Sequence, residues 1–177
     1  ATAVGWSGGD IFVCVQGQTG YAIYRLNENL ADATRIVKGL RGCCGQMHFA
    51  ARDGVLYVAA NALFKVVKYD RDGKELGSFG QRATGEGAGF DGCCEPKNVC
   101  FDAAGSLYTA DSGSRIVRKW TTDGKYLGAV GSCEGVRGCV RVTIAVTKDG
   151  NKVYMLDTGR NIIRMIPIKP TKADGKA

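Results

Sequence analysis

Residues 92–126, GCCEPKNVCFDAAGSLYTADSGSRIVRKWTTDGKY, hold one complete structural repeat, and their reading decides the fold. Short apolar runs occupy 99–101, 107–110 and 116–120. Ala104-Gly105 and Ser112-Gly113-Ser114 separate them, and Asp123-Gly124 follows the last. Glycine in such pairs supplies the positive φ that tight hairpins need, so the stretch predicts a meander of antiparallel strands.

The unit recurs through the chain. Aligned on the second run, Ile11-Phe12-Val13, Leu56-Tyr57-Val58, Leu107-Tyr108-Thr109 and Val153-Tyr154-Met155 return an aromatic at 12, 57, 108 and 154, spacings of 45, 51 and 46. A third run follows each time, at 22–26, 64–69, 116–120 and 162–166. Several strands per repeat of about 40–50 residues predict a β-propeller, in which each sheet buries its faces only against neighbouring sheets. Residues 3–6 supply a possible inner strand for the first unit.

Pro96 and Val99, Asp102, Gly105, the run Leu107-Tyr108-Thr109-Ala110-Asp111, the pair Arg115-Ile116 and Gly124 resemble the NHL-repeat signature. That signature has a proline before the inner strand, an apolar and aromatic strand ending in Asp, an Arg-Ile pair and a hairpin glycine. The fourth unit matches through Val153-Tyr154-Met155-Leu156-Asp157 and Asn161-Ile162-Ile163, with Asn in place of Arg. The second has Ala60 for the Asp and Lys65 for the Arg, and the first departs furthest. Gly42-Cys43-Cys44 and Gly92-Cys93-Cys94, each opening an inner strand, are similar to an uncharacterised bacterial subset of NHL-repeat proteins.

The repeat and the resemblance together predict an all-β, NHL-like β-propeller over 1–168, with repeats at about 1–40, 41–90, 91–131 and 132–168, and the lysines of 169–177, with Pro167 and Pro170 beside them, read as a basic flexible tail. NHL-like propellers usually close with five or six blades. Four repeats therefore leave a closed four-bladed ring, part of a longer propeller, or half of a ring completed by a second copy, and an incomplete ring with unpaired terminal edges is favoured. Such propellers serve as scaffolds, as RNA or protein binders and in a few cases as enzymes, so the architecture alone names no activity.

At 177 residues the chain can bury a substantial core as one domain. Its longest apolar runs are strand-length, short of the ~20 residues of a spanning helix. Ala1-Thr2-Ala3 resembles what remains after a signal sequence is cut. The net charge of +7 is uneven, since 132–177 carry nine Lys or Arg against four Asp or Glu. Strand positions account for the interleaved aromatics, which argues for a solvated basic face and against nucleic acid as the partner.

Eight cysteines is a high, even number, and six open repeats: Cys43, Cys44, Cys93, Cys94, Cys133 and Cys139. Equivalent residues of propeller blades form a ring around one channel mouth, which places Cys43, Cys93 and Cys139 on one level with the other three close by. Three states fit. The six can pair as disulfides between blades, each worth ~2–4 kcal/mol. Four can converge on a transition metal or an iron–sulfur cluster, or all can remain reduced. No Cys-x-x-Cys is present to make a zinc ribbon, and adjacent cysteines seldom bond to each other. Cys14 and Cys100 lie in strand-like runs and read as buried apolar residues.

His48 is the single histidine and lies in an inner strand, which excludes multi-histidine metal sites and points to a channel-lining or core role. Residues 81–92, rich in glycine, predict a long loop over one face of the disc. Asp111 and Asp157 end their strands and fit the turn chemistry of the repeat, the alternative being cation binding at the channel mouth. No nucleophile, base and orienter can be assembled. The sequence therefore predicts a non-enzymatic, periplasmic or extracellular interaction propeller, without cofactor, tied by inter-blade disulfides, with a protein partner or a second copy. The alternative is a redox or metal-binding protein, iron–sulfur included, that uses the cysteine ring.

Overall fold

The computed structural model describes residues 1–132 and 138–168. They form four antiparallel sheets arranged as the blades of a β-propeller, each a meander in sequence order. The first blade contains β1 (Ala3–Ser7), β2 (Asp10–Gly17), β3 (Gly20–Asn27) and β4 (Thr34–Leu40). The second contains β5 (Phe49–Arg52), β6 (Val55–Ala60), β7 (Lys65–Tyr69) and β8 (Glu75–Phe79). The third contains β9 (Asn98–Phe101), β10 (Leu107–Ala110), β11 (Ile116–Trp120) and β12 (Tyr126–Ser132). The fourth, in the described residues, has β13 (Val142–Val146), β14 (Lys152–Asp157) and β15 (Ile162–Pro167). The innermost strands stand side by side, β1 against β5, β5 against β9 and β9 against β13.

The repeat aromatic sets this stacking. Phe12, Tyr57 and Tyr108 sit at the same place in β2, β6 and β10, and each projects into the blade that follows. Phe12 packs with Phe49, Leu56 and Val58; Tyr57 with Val99 and Leu107; Tyr108 with Ile144, Val153 and Met155. Three separate cores result, one per boundary between successive blades, and full burial of each such side chain contributes ~1.5–3 kcal/mol. Among the described residues no fourth core joins the first blade to the fourth.

Helix is limited, among the described residues, to one 3-10 turn at Asn61–Leu63, and no helix is long and apolar enough to cross a membrane. That turn displaces the start of the third run in the second blade. Phe64 takes a left-handed φ of 56° and β7 begins one residue later than the apolar pattern suggests. The reason lies in Asn61, a buried side chain drawn away to the preceding inter-blade loop. The basic tail at 169–177 lies outside the described residues.

Candidate metal centre

Three inter-blade loops deliver the cysteines to one place. Cys43 and Cys44 precede β5, Cys93 and Cys94 precede β9, and Cys139 precedes β13, and all five Sγ atoms lie within 4.8 Å of one another. Cys133, expected beside them, lies outside the described residues. Cys94 Sγ is 3.1 Å from Cys93 Sγ, 3.1 Å from Cys139 Sγ and 3.6 Å from Cys44 Sγ. Cys93 Sγ is 2.8 Å from Cys139 Sγ, while Cys43 stands at the edge, 3.4 Å from Cys44. Cys44 and Cys139 are joined as a disulfide, and Cys43, Cys93 and Cys94 are free. The bridge spans the second and fourth blades and skips the third, so the expectation of bridges tying adjacent blades is revised by this geometry.

Each Gly-Cys-Cys loop is held from below by the same position of the repeat. In the second blade Asn61 Oδ1 accepts a hydrogen bond from Cys43 N at 3.0 Å, and its Nδ2 donates to Gln46 O at 2.8 Å. In the third blade Ser112 fills that place, and its N and Oγ donate to the buried Glu95 carboxylate at 3.1 and 2.8 Å, joined by Gly113 N at 2.9 Å. The opening glycines are required by close approach. A Cβ on Gly42 would stand 2.4 Å from the Tyr21 ring, and one on Gly92, at φ +140°, would stand 2.9 Å from Glu95 Oε1. Gln46 adds a tie across the arc, its Nε2 donating to Val142 O at 2.7 Å and its Oε1 accepting from Val142 N at 3.3 Å.

Lys97 turns the cluster from a set of thiols into an electrostatic site. It has no exposed surface, and its Nζ donates to Cys94 Sγ at 2.9 Å and Cys139 Sγ at 3.0 Å. Both acceptors are sulfur, Cys94 a free thiol and Cys139 a disulfide sulfur, so the buried nitrogen stands where thiolates would form on reduction and deprotonation. Burial, followed by hydrogen bonds from neighbouring thiols, pushes the Cys94 thiol up to about 12, while Lys97 pulls it down. Nothing in the residue pattern marked Lys97 as functional, although a lysine immediately before an apolar inner strand is an unusual placement.

The two carboxylates considered as cation ligands have other partners. Asp111 forms a fully buried ion pair with Arg118, Nη1 to Oδ2 at 2.6 Å, and its Oδ2 also accepts from Ser114 Oγ and Asp91 N. Burial holds Asp111 above the usual carboxylate range even against that guanidinium. Arg118 also donates to Gly85 O at 2.7 Å and Gly87 O at 3.0 Å, clamping the long glycine-rich loop. Asp157 caps its own turn, accepting from Gly159 N at 3.0 Å. Of the two strand cysteines, Cys14 is fully buried in the first core, and Cys100 is partly buried and packs beside the third-to-fourth blade core.

His48 stays away from the sulfurs' chemistry. Burial lowers it from 6.5 to about 4, opposed by a backbone hydrogen bond at Val99, and its Nδ1 has no partner. Between those two pH values the unfolded chain binds a proton that the folded chain does not, so stability present above pH 6.5 is lost as pH falls towards 4. The loss attributable to His48 amounts to at most about 3 kcal/mol. Urea midpoints recorded from pH 7 to pH 4 should fall more steeply for the wild type than for His48→Asn, and equal slopes would contradict the assignment.

No family model matches the chain, and no curated relative does. Solved structures match in fold. A protein of unknown function from Bacteroides thetaiotaomicron is 19% identical with a TM-score of 0.67, over 94% of this chain and 47% of that one. A gluconolactonase from Xanthomonas campestris is 15% identical with a TM-score of 0.59, over 90% and 54%. The computationally designed Ika4 protein is 13% identical with a TM-score of 0.58, over 95% and 91%. The chain thus spans about half the length of the two natural proteins. At these identities the likeness shows the fold alone.

Proposed function

We propose that this propeller is a scaffold whose channel mouth holds a single soft metal ion of the zinc class through Cys44, Cys93, Cys94 and Cys139. Cys43 stands beside the site, and Lys97 is its buried counter-charge. The observation that carries this reading is the convergence of five sulfurs within 4.8 Å on a lysine with no exposed surface. With Zn–S bonds of ~2.3 Å, the edge of a sulfur tetrahedron is about 3.8 Å. Four of the separations among these sulfurs fall below that edge, at 2.8–3.6 Å, and Cys44 and Cys139 are bonded to each other, so the bridge must be reduced and the sulfurs would spread for the ion to enter. These separations are tight for an iron–sulfur cluster, whose cysteines bind different irons.

A divalent ion among four thiolates leaves an excess of two negative charges, and Lys97 offsets one of them. Four sulfur ligands leave no open position, so the ion would supply structural cohesion rather than Lewis-acid chemistry. It would staple the loops before β5, β9 and β13, leaving the disc as an interaction module. That is why the gluconolactonase's activity is not carried over. The finer likeness to NHL-repeat proteins belongs to the same proposal and is supported by the returning strand aromatic and the strand-end Asp.

A second reading has its own observation. The Cys44–Cys139 disulfide favours an oxidising compartment, periplasmic or extracellular, in which the cluster is oxidised and carries no metal. Reduced protein titrated with Co²⁺ separates the two. One equivalent bound, with the intense visible absorption of a tetrahedral tetrathiolate and displacement by Zn²⁺, is expected. No stoichiometric binding by fully reduced protein would overturn the metal reading. Protein that resists alkylation at six of its eight cysteines under denaturing, non-reducing, chelating conditions would transfer the assignment to disulfides.

A further inference from the structure

We propose that two copies of this chain close one eight-bladed ring, with the end face of the fourth blade of each copy packed on the end face of the first blade of the other. The argument starts from equivalent positions. Phe12, Tyr57 and Tyr108 are buried between blades, but Tyr154, the same residue of the fourth blade, is 42% exposed. One turn of the pleat further on, Cys14, Ala59 and Ala110 are buried and Leu156 is exposed. On the opposite face of each blade, Phe49, Val99 and Ile144 are core residues, while their counterpart in the first blade, Val4, is 66% exposed. Ala51, Phe101 and Val146 pack against cores, and their counterpart Trp6 is also 66% exposed.

Both end faces are therefore core faces in every other blade and lack only the neighbouring blade. The fourth blade extends its face further with Ile163 and Met165, paired across the strands to Leu156 and Tyr154. Contiguous apolar surface of this kind marks an interface. What covers it is specified by the internal boundaries, where a following-blade face always meets a preceding-blade face. Tyr57 meets Phe101 edge-on, with ring centroids 5.0 Å apart at 84°. The same two positions at the ends of the arc are Tyr154 and Trp6.

A second copy supplies both missing faces at once. Its contact is head-to-tail, and two such contacts related by a two-fold axis form a closed ring. Two copies give eight blades, within the usual range of four to eight, and three would exceed it.

Sedimentation or light scattering of the 177-residue chain at high micromolar concentration should give twice its 18.8 kDa. Trp6→Lys alone and Tyr154→Glu alone should each halve the mass, since each substitution falls in both contacts. An equimolar mixture of the two variants should return to the doubled mass as a one-to-one heterodimer. In it, one contact joins the two substituted positions with opposite charges and the other is wild type. Both positions are exposed, so a far-UV strand spectrum like that of the wild type is expected for each variant. A wild type of single mass, or a mixture that stays at single mass, would overturn the proposal.

Discussion

Replacing Arg118 with methionine should destabilise the chain by about 3–5 kcal/mol, the usual cost of breaking a fully buried ion pair by removing one partner. Neither Arg118 nor Asp111 has exposed side-chain surface, and Asp111 Oδ1 already lacks a hydrogen-bond partner. Without the guanidinium, the carboxylate would face burial with only Ser114 and the Asp91 amide as donors. The carbonyls of Gly85 and Gly87 would lose their donor as well. Urea denaturation should show a lower midpoint with an unchanged slope. The double substitution Arg118→Met with Asp111→Leu should recover much of the loss, because an apolar pair of similar volume carries no uncompensated charge. A single-variant loss under about 1 kcal/mol would show that the pair does not clamp the loop.

The second large effect separates the ligands from their neighbours. Cys94→Ser should weaken binding of Zn²⁺ to the reduced protein by more than about 100-fold, since disturbing even an outer partner of a metal site costs about 10–100-fold. Cys94 contacts three other sulfurs and Lys97, so no remaining geometry replaces it. Cys43→Ser should change affinity by only a few fold, because Cys43 stands at the edge of the cluster. Lys97→Met keeps the side-chain volume and removes the two N–H···S hydrogen bonds, so an intermediate loss of about 10–100-fold is expected. Competition with a chromophoric chelator reads all three. Equal losses for Cys43→Ser and Cys94→Ser would disprove this choice of ligands.

Most of the fold was legible in the sequence because a blade is a local object. The strands around Phe12, Tyr57, Tyr108 and Tyr154 are set by alternation and by glycine-bearing turns within a few residues, and the structure places all four where the spacing predicts. Local pattern failed at Phe64. There Asn61, which reads as an ordinary turn residue, is drawn to Cys43 and Gln46, whose contact depends on a loop 15–18 residues away. The candidate site was legible in part. The repeated Gly-Cys register marked the cysteines, since equivalent positions in successive blades must converge at one channel mouth. Lys97, Glu95, Asn61 and Arg118 were not marked. Each looks like a surface polar residue until the partner that justifies its burial is known.

The sequence by itself therefore determined the strands, their order within each blade, the repeat and the group of cysteines carried by equivalent loops. Those features follow from periods of two and of about 45–50 residues, which the chain records directly. Only the tertiary structure decided that Cys44 meets Cys139 across an intervening blade, that Lys97 lies buried against the sulfurs, and that the first and fourth blades leave their core faces open. Those outcomes depend on the angle between successive blades and on contacts between residues up to 96 apart. Rigid packing between sheets fixes that angle, and no local sequence pattern encodes it.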